Sequence, residues 1–407
     1  MFHQFLVTPK HRTYLRFLWW EHGDLDSEPK EYQMAVHLFG AASSPGCANF
    51  GLKYLAQQHK SEYPVASSFV ENGFYVDDGL VSVPTIKEAS DLINEAQDLC
   101  RRGGLRLHKF NSNVSEVLSC VHLSERAAST EGHDLNPGSA SVEHALGIQW
   151  LIESDSFSFN INLKDKPDTR RGILSVIASL YDPLGFVAPF VLSGKCILQE
   201  LCRRNVGWDD LLPDELRPRW EEWKSGVLSL SRVSIPRCYH PQDFGKIERV
   251  ELHHFSDASN IGYGACSYLR YKNDESKVHC SLVMAKARVA PTKLTSIPRL
   301  ELSAAVTAAR LSILLRSELN MKIDEEFFWT DSQVTLAYIN NDARRFHVFV
   351  ANRVQLLREN TSPSQWHYVD TTENPADHVS RGLRASGIVK LYRFVCSRYK
   401  SKDIEDS

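Results

Sequence analysis

His254-Phe255-Ser256-Asp257-Ala258-Ser259 closes a run in which Val250, Leu252 and His254 alternate as strand residues do, so Asp257 is expected at or near the end of a strand. Three more acids stand in short phrases of the same kind: Glu301 in Pro298-Arg299-Leu300-Glu301-Leu302, Asp331 in Phe328-Trp329-Thr330-Asp331-Ser332, and Asp377 in Asn374-Pro375-Ala376-Asp377-His378. Pro298 suits the first turn of a helix that carries Glu301. Asp331 follows an apolar strand, Phe327-Phe328-Trp329. Asn374, Pro375, Ala376 and Asp377 read as N-cap, N1, N2 and N3 of a helix. Taken singly, each acid is a turn residue or a helix-dipole partner. Four acids gathered from four element junctions would hold a pair of Mg²⁺ ions, with Mn²⁺ as the alternative, and paired ions of this type cut phosphodiester bonds.

The elements around these phrases follow from periodicity. Strands at 249–256, 261–271 and 278–288 form an antiparallel meander. A helix over 298 to 318, a strand at 326–330, helices at 332–340 and 346–358, a strand at 365–369 and a helix from 375 complete a mixed sheet with helices packed on it. Upstream, 170–205 reads as helix interrupted at Tyr181-Asp182-Pro183-Leu184-Gly185. A second helix spans 213–230, with Trp220 and Trp223 as anchors and Trp208 just before it. Residues 1–20 and Gln33 to Leu38 read as strand, and a helix follows Gly40–Gly46. Residues 69–84 read as a hairpin with Asp77-Asp78-Gly79 at its tip. Ala89, Leu92, Ile93, Ala96, Leu99 and Cys100 give an amphipathic helix that stops at Gly103-Gly104. Residues 123–142 are polar and loop-like.

The order of acids and elements from about 246 to 385 resembles the RNase H domain of retroelement polyproteins. The phrases FSDAS, IPRLEL, WTDSQ and NPADHVSRG are most similar to the BEL/Pao group of retrotransposons. The resemblance implies that Asp257, Glu301, Asp331 and Asp377 are the metal-binding and catalytic acids, with Asp257 bridging both ions, and that the substrate is the RNA strand of an RNA–DNA hybrid. Many cellular RNases H carry a mobile His before the last acid. Here Tyr368 to Glu373 fills that stretch, and His367 falls in the strand beside Trp366, a structural position. Lys286, Arg288, Lys293 and Arg299 form a basic run beside the proposed site that could hold phosphates.

Tyr75-Val76-Asp77-Asp78, with Phe39–Pro45 before it and Leu107-His108-Lys109-Phe110 after it, resembles the catalytic hairpin and flanking motifs of reverse transcriptase. Asp77 and Asp78 would be a polymerase remnant, and Lys109 a nucleic-acid contact. In that family a further catalytic Asp precedes the equivalent of Met1-Phe2-His3-Gln4. Without it, polymerase activity is expected to be lost. LGIQW and LSVIASLYDPLGFVAPFVL resemble the Pao region, which carries a peptidase label. The chain has no Asp-Thr/Ser-Gly turn and no G-x-S-x-G elbow, so proteolysis is disfavoured. The expected fold class is therefore α+β and α/β multidomain: a partial palm at 1–122, a helical thumb or connection at 123–245, an RNase H-like mixed sheet with flanking helices at 246–385, and a divergent tail at 386–407.

The bulk properties agree with that reading. The chain has 407 residues, 43% of them apolar and 24% charged, enough for several globular domains. A net charge of -3 gives no global sign of a polyanionic partner. Nine cysteines without a C-x-x-C pair suit a reducing compartment, and the N-terminal stretch is not that of a signal peptide. An intracellular protein, cytoplasmic or nuclear and without a membrane span, is expected. The alternative is a non-catalytic retrotransposon relic that binds nucleic acid.

Overall fold

The computed structural model describes residues 1–127, 142–145, 148–159, 161, 166–241, 243–341 and 345–388. It divides into two units, one of residues 1–146 and 151–154 and one of 147–150 and 155–407. Most of the expected loop at 123–142 and the end of the chain beyond Ile388 lie outside the described residues.

The first unit is built on three helices: α1 (Ser44–Gln58), α2 (Pro64–Gly73) and α3 (Ile86–Arg102). Leu52, Ala56, Val70, Leu92, Ala96, Leu99 and Cys100 are buried between them. Thr85 caps α3 by accepting from the Glu88 N–H at 3.1 Å. Two expectations change here. Residues 1–20 hold 3₁₀ turns at Phe2–Gln4 and Pro9–Tyr14 and only a four-residue strand, Arg16–Trp19. Pro9 favours the helical φ at that point, which breaks the alternation. The hairpin at 69–84 is shorter than expected, because Phe69 to Gly73 finish α2. Only Phe74–Tyr75 pairs with Asp78–Gly79. Pro64 starts that helix, and its Ala66 and Val70 face the core four residues apart.

The second unit holds a five-stranded sheet. Before it come α4 (Arg170–Ser179), α5 (Ala188–Arg203) and α6 (Arg217–Ser229). The sheet strands are β1 (Ile247–Ala258), β2 (Gly262–Asn273), β3 (Val278–Val289), β4 (Glu325–Thr330) and β5 (Trp366–Tyr368), in the order β3-β2-β1-β4-β5. The first three are antiparallel; β4 runs parallel to both β1 and β5. The remaining helices are α7 (Ile297–Glu318), α8 (Gln333–Asn340), α9 (Val348–Asn360) and α10 (Ala376–Arg381).

Both faces of the sheet are covered. On one, α7 packs Leu302, Ala305, Ala308 and Ala309 over Ala265 and Phe328, with α9 behind it. Its four alanines at 304, 305, 308 and 309 are fully buried, and their small side chains let a long helix lie close to the strands. On the other face, α10 and α5 cover Phe255, Cys266, Tyr268 and Ala285. Gly264, opposite Asp257 in the register, makes this possible. A Cβ there would stand 2.2 Å from the Lys286 carbonyl oxygen and 2.6 Å from Val379 of α10.

The helices α4 to α6 share the second unit with the sheet, so the expected boundary at 246 has no counterpart in the packing. Trp223 stacks on Phe190 of α5 and on Trp220, with centroids 4.9 and 5.3 Å apart. The loop between α4 and α5 pairs with the outer edge of the sheet: the Ala285 N–H donates to the Leu184 carbonyl at 2.9 Å. Gly185 has φ +76°, and a Cβ there would fall 1.8 Å from the Ala285 carbonyl oxygen, so only glycine fits. Ala385 and Ile388 are buried among the same helices, so the expected divergent tail begins inside the core.

Candidate metal centre

The site lies where β1 ends. Asp257 is the penultimate residue of β1 and Glu301 sits in the first turns of α7. Asp331 directly follows β4, one strand over in the sheet. One carboxylate oxygen from each of the three lies within 4.8 Å of the others. Among the described residues, this is the one cluster of metal-ligand type. Asp257 and Glu301 are buried; Asp331 is half-buried.

Their surroundings are unfavourable to bare negative charge. Burial, reinforced by the charges of Asp331 and Asp377 and opposed by the Ser380 hydroxyl, pushes the Asp257 carboxyl up to about 7. Burial, then Asp257 and Asp331, pushes Glu301 up to about 9 against the pull of the Ala258 N–H. The Ala258 N–H donates to Glu301 Oε1 at 3.3 Å. Glu301 Oε2 is buried with no hydrogen-bond partner among the described residues. A buried, unpaired carboxylate oxygen beside two other acids fits a hard, oxygen-liganded divalent cation.

Asp377 stands outside the three-acid set. It is half-buried in the first turn of α10 and accepts from Arg381 Nε at 2.5 Å, although it is near enough to raise the Asp257 pKa. Asn374 seats this helix. Its side chain donates to the Ser256 carbonyl of β1 at 3.0 Å and accepts from the Ala376 N–H at 3.1 Å. The N-terminal reading of Asn374 thus has a geometric counterpart, one that also ties α10 to the sheet.

The other singled-out residues fall in different places. Lys286, Arg288, Lys293 and Arg299 are all exposed. Lys286 and Arg288 lie opposite Ala265 and Tyr263 in the sheet register. The Arg299 guanidinium lies 5.3 Å from the Phe349 ring, which Arg353 covers at 3.5 Å. Lys109, Asp77 and Asp78 are exposed residues of the first unit. His367 packs against Phe327 and Trp329, with burial lowering its pKa.

Three groups at the site were not picked out from the sequence: Ser380, Thr371 and Arg381. The Ser380 hydroxyl donates to Asp257 Oδ2, and the Thr371 hydroxyl donates to Asp331 Oδ2 at 2.7 Å. The signal was present in the phrase that ends Asp377-His378-Val379-Ser380-Arg381, since positions three and four residues after an acid share its helix face. A buried polar pair in β1 was also missed. His253 and His254 point to opposite faces, where Glu251 (3.0 Å) and Glu326 (2.9 Å) hold them. Burial keeps both imidazoles below their usual pKa, against the pull of their carboxylate partners.

Residues 169–332 match the Pao retrotransposon-like RNaseH-like domain. The matched stretch opens at the cap of α4 and takes in Asp257, Glu301 and Asp331; Asp377 lies beyond it. This RNaseH-like stretch therefore includes the helices α4 to α6 that the sequence assigned to a connection region. No curated protein matches the chain. Among solved structures, similarity is found to RNase H1 of the halophilic archaeon Halobacterium salinarum NRC-1, at 13% identity and TM-score 0.23, over 32% of this chain and 94% of that one. The N-terminal RNase H domain of Rv2228c from Mycobacterium tuberculosis, fused to maltose-binding protein, gives 9%, 0.22, 36% and 96%. LC11-RNase H1 from compost, in complex with an RNA/DNA hybrid, gives 11%, 0.22, 32% and 93%. No helix among the described residues is long and apolar enough to cross a membrane.

Proposed function

We propose that the second unit is a retroelement-derived, RNase H-type endonuclease that hydrolyses the RNA strand of RNA–DNA hybrids with divalent cations. The observation that supports this most is Glu301. An acid of an RNaseH-like stretch is buried with one oxygen unpaired, beside two further carboxylates from separate elements. A divalent cation would satisfy that oxygen, and a nuclease of this class needs the cation.

Two Mg²⁺ ions, when bound by Asp257, Glu301, Asp331 and Asp377, would supply an activated water and neutralise charge at the scissile phosphate. The chain itself supplies the rest. Asp257, at the end of the central strand β1, would be the ligand shared between ions. Asp377, held here by Arg381, would be the fourth ligand, and Arg381 would then be available to a phosphate oxygen. Lys286, Arg288, Lys293 and Arg299 offer exposed positive charge for the backbone of a duplex. Recognition is of hybrid shape and 2′-hydroxyls, not of base sequence. The reading of residues 1–122 as polymerase palm rests on its motifs alone; an intracellular location is proposed beside it.

The test is incubation of the purified full chain with a labelled RNA–DNA hybrid in Mg²⁺ or in EDTA, beside Asp331→Asn. RNA-strand cleavage is expected in Mg²⁺ with wild type only. Cleavage that survives EDTA or the substitution, or no cleavage in either Mg²⁺ or Mn²⁺, refutes the proposal.

A further inference from the structure

Each of the three clustered carboxylates has one oxygen held by a neutral donor. The Ala258 N–H holds Glu301 Oε1, the Thr371 hydroxyl holds Asp331 Oδ2, and the Ser380 hydroxyl holds Asp257 Oδ2. The terminal torsion of an Asp is broad and nearly two-fold, so a free carboxylate presents its oxygens in many directions. One hydrogen bond fixes its plane and leaves the other oxygen available. Because these donors are uncharged, they orient the acids without placing a competing positive charge in the site.

The two hydroxyls are themselves held in place. Ser380 is fully buried, and its carbonyl accepts from the Ser259 hydroxyl at 2.8 Å, which ties it to the turn after β1. Thr371 opens the turn that leads to α10, where its carbonyl accepts from the Asn374 N–H at 3.3 Å. Both residues lie in the segment between β5 and the end of α10, outside the matched stretch.

The geometry points to Thr371 and Ser380 as positioning residues, whose hydroxyls aim Asp331 and Asp257 at a shared cation. This rests on the nuclease reading above. The segment 371–380 then does more than deliver Asp377: it sets the orientation of two acids that arrive from other elements.

The experiment is calorimetric titration of Mn²⁺ into the full chain, for wild type, Thr371→Val, Ser380→Ala and the conservative Thr371→Ser. Outer partners of metal ligands change metal affinity by about 10- to 100-fold. A loss of about 10-fold or more is expected for Thr371→Val and Ser380→Ala, with Thr371→Ser near wild type. Thr371 is exposed, so its melting temperature in EDTA is expected to stay at the wild-type value. On hybrid substrate, kcat falls at fixed Mn²⁺ while KM holds, and added Mn²⁺ restores part of the rate. If Ser380→Ala does not fold, Thr371→Val decides alone. Wild-type Mn²⁺ affinity in Thr371→Val overturns the positioning assignment and leaves the nuclease reading intact. A wild-type chain that binds no Mn²⁺ overturns both.

Discussion

Glu301→Gln is expected to make the cation-free protein more stable while removing its response to cations. Glu301 is only 7% exposed, and burial with Asp257 and Asp331 nearby raises its pKa from 4.5 to about 9. At pH 7 the folded state therefore keeps a proton that the unfolded state has released. Each pH step between 4.5 and 7 costs the fold about 1.4 kcal/mol, or about 3 kcal/mol in total as an upper bound. Glutamine keeps the shape, needs no proton, and can donate its amide hydrogens to Asp257 or Asp331. For a domain of this size, about 3 kcal/mol is worth roughly 6–12 °C in melting temperature. The assay is thermal denaturation at pH 7 in EDTA and in Mn²⁺, followed by circular dichroism. Wild type should melt lower than Glu301→Gln in EDTA and gain stability in Mn²⁺; the variant should gain little. A variant less stable than wild type in EDTA, or one that keeps the full Mn²⁺ shift, refutes the reasoning.

The same carboxyls set a pH dependence. In EDTA, wild-type stability should fall between pH 7 and 9, because there the folded chain holds a proton on Glu301 that the unfolded chain has lost. The buried His253 and His254, with lowered pKa values, act in the opposite sense only below their usual 6.5, so the window above pH 7 isolates the acids. Melting temperatures at half-unit steps check this, and a flat or rising profile above pH 7 counts against it. A fragment of residues 246–388 should be insoluble or unfold without cooperativity, whereas 155–388 should fold. The shorter piece strips α5 from the sheet and leaves Ala385 and Ile388 without their partners. Expression and heat-induced unfolding of the two fragments decide the matter, and a cooperative transition in 246–388 contradicts the single-unit packing.

Much of the second unit was legible because its elements are locally consistent. The alternation along 247–258 and 262–273, Pro298 ahead of an apolar helix, and Phe327-Phe328-Trp329 each point one way. The acids were legible for the same reason, since each marks a junction between clear elements. What escaped was whatever depends on tertiary neighbours. Nothing local says that Leu184 meets Ala285, so a boundary at 246 looked natural from the composition change near Pro236 and Pro241. Ser380 and Thr371 are ordinary hydroxyls until the strands bring Asp257 and Asp331 beside them. Asp377 had the signature of the other acids, yet its helical neighbour Arg381 engages it, a competition that spacing allowed but did not decide. In the first unit, Phe69 to Gly73 suited strand or helix, and the core formed with α1 and α3 selected helix.

The contact between Leu184 and Ala285 has a consequence for how the chain is made. The ribosome delivers the loop at 184 about a hundred residues before the outermost strand of the meander. That strand thus emerges to find a partner for its Ala285 amide already synthesised, which leaves one fewer edge amide to offer to a neighbouring nascent chain.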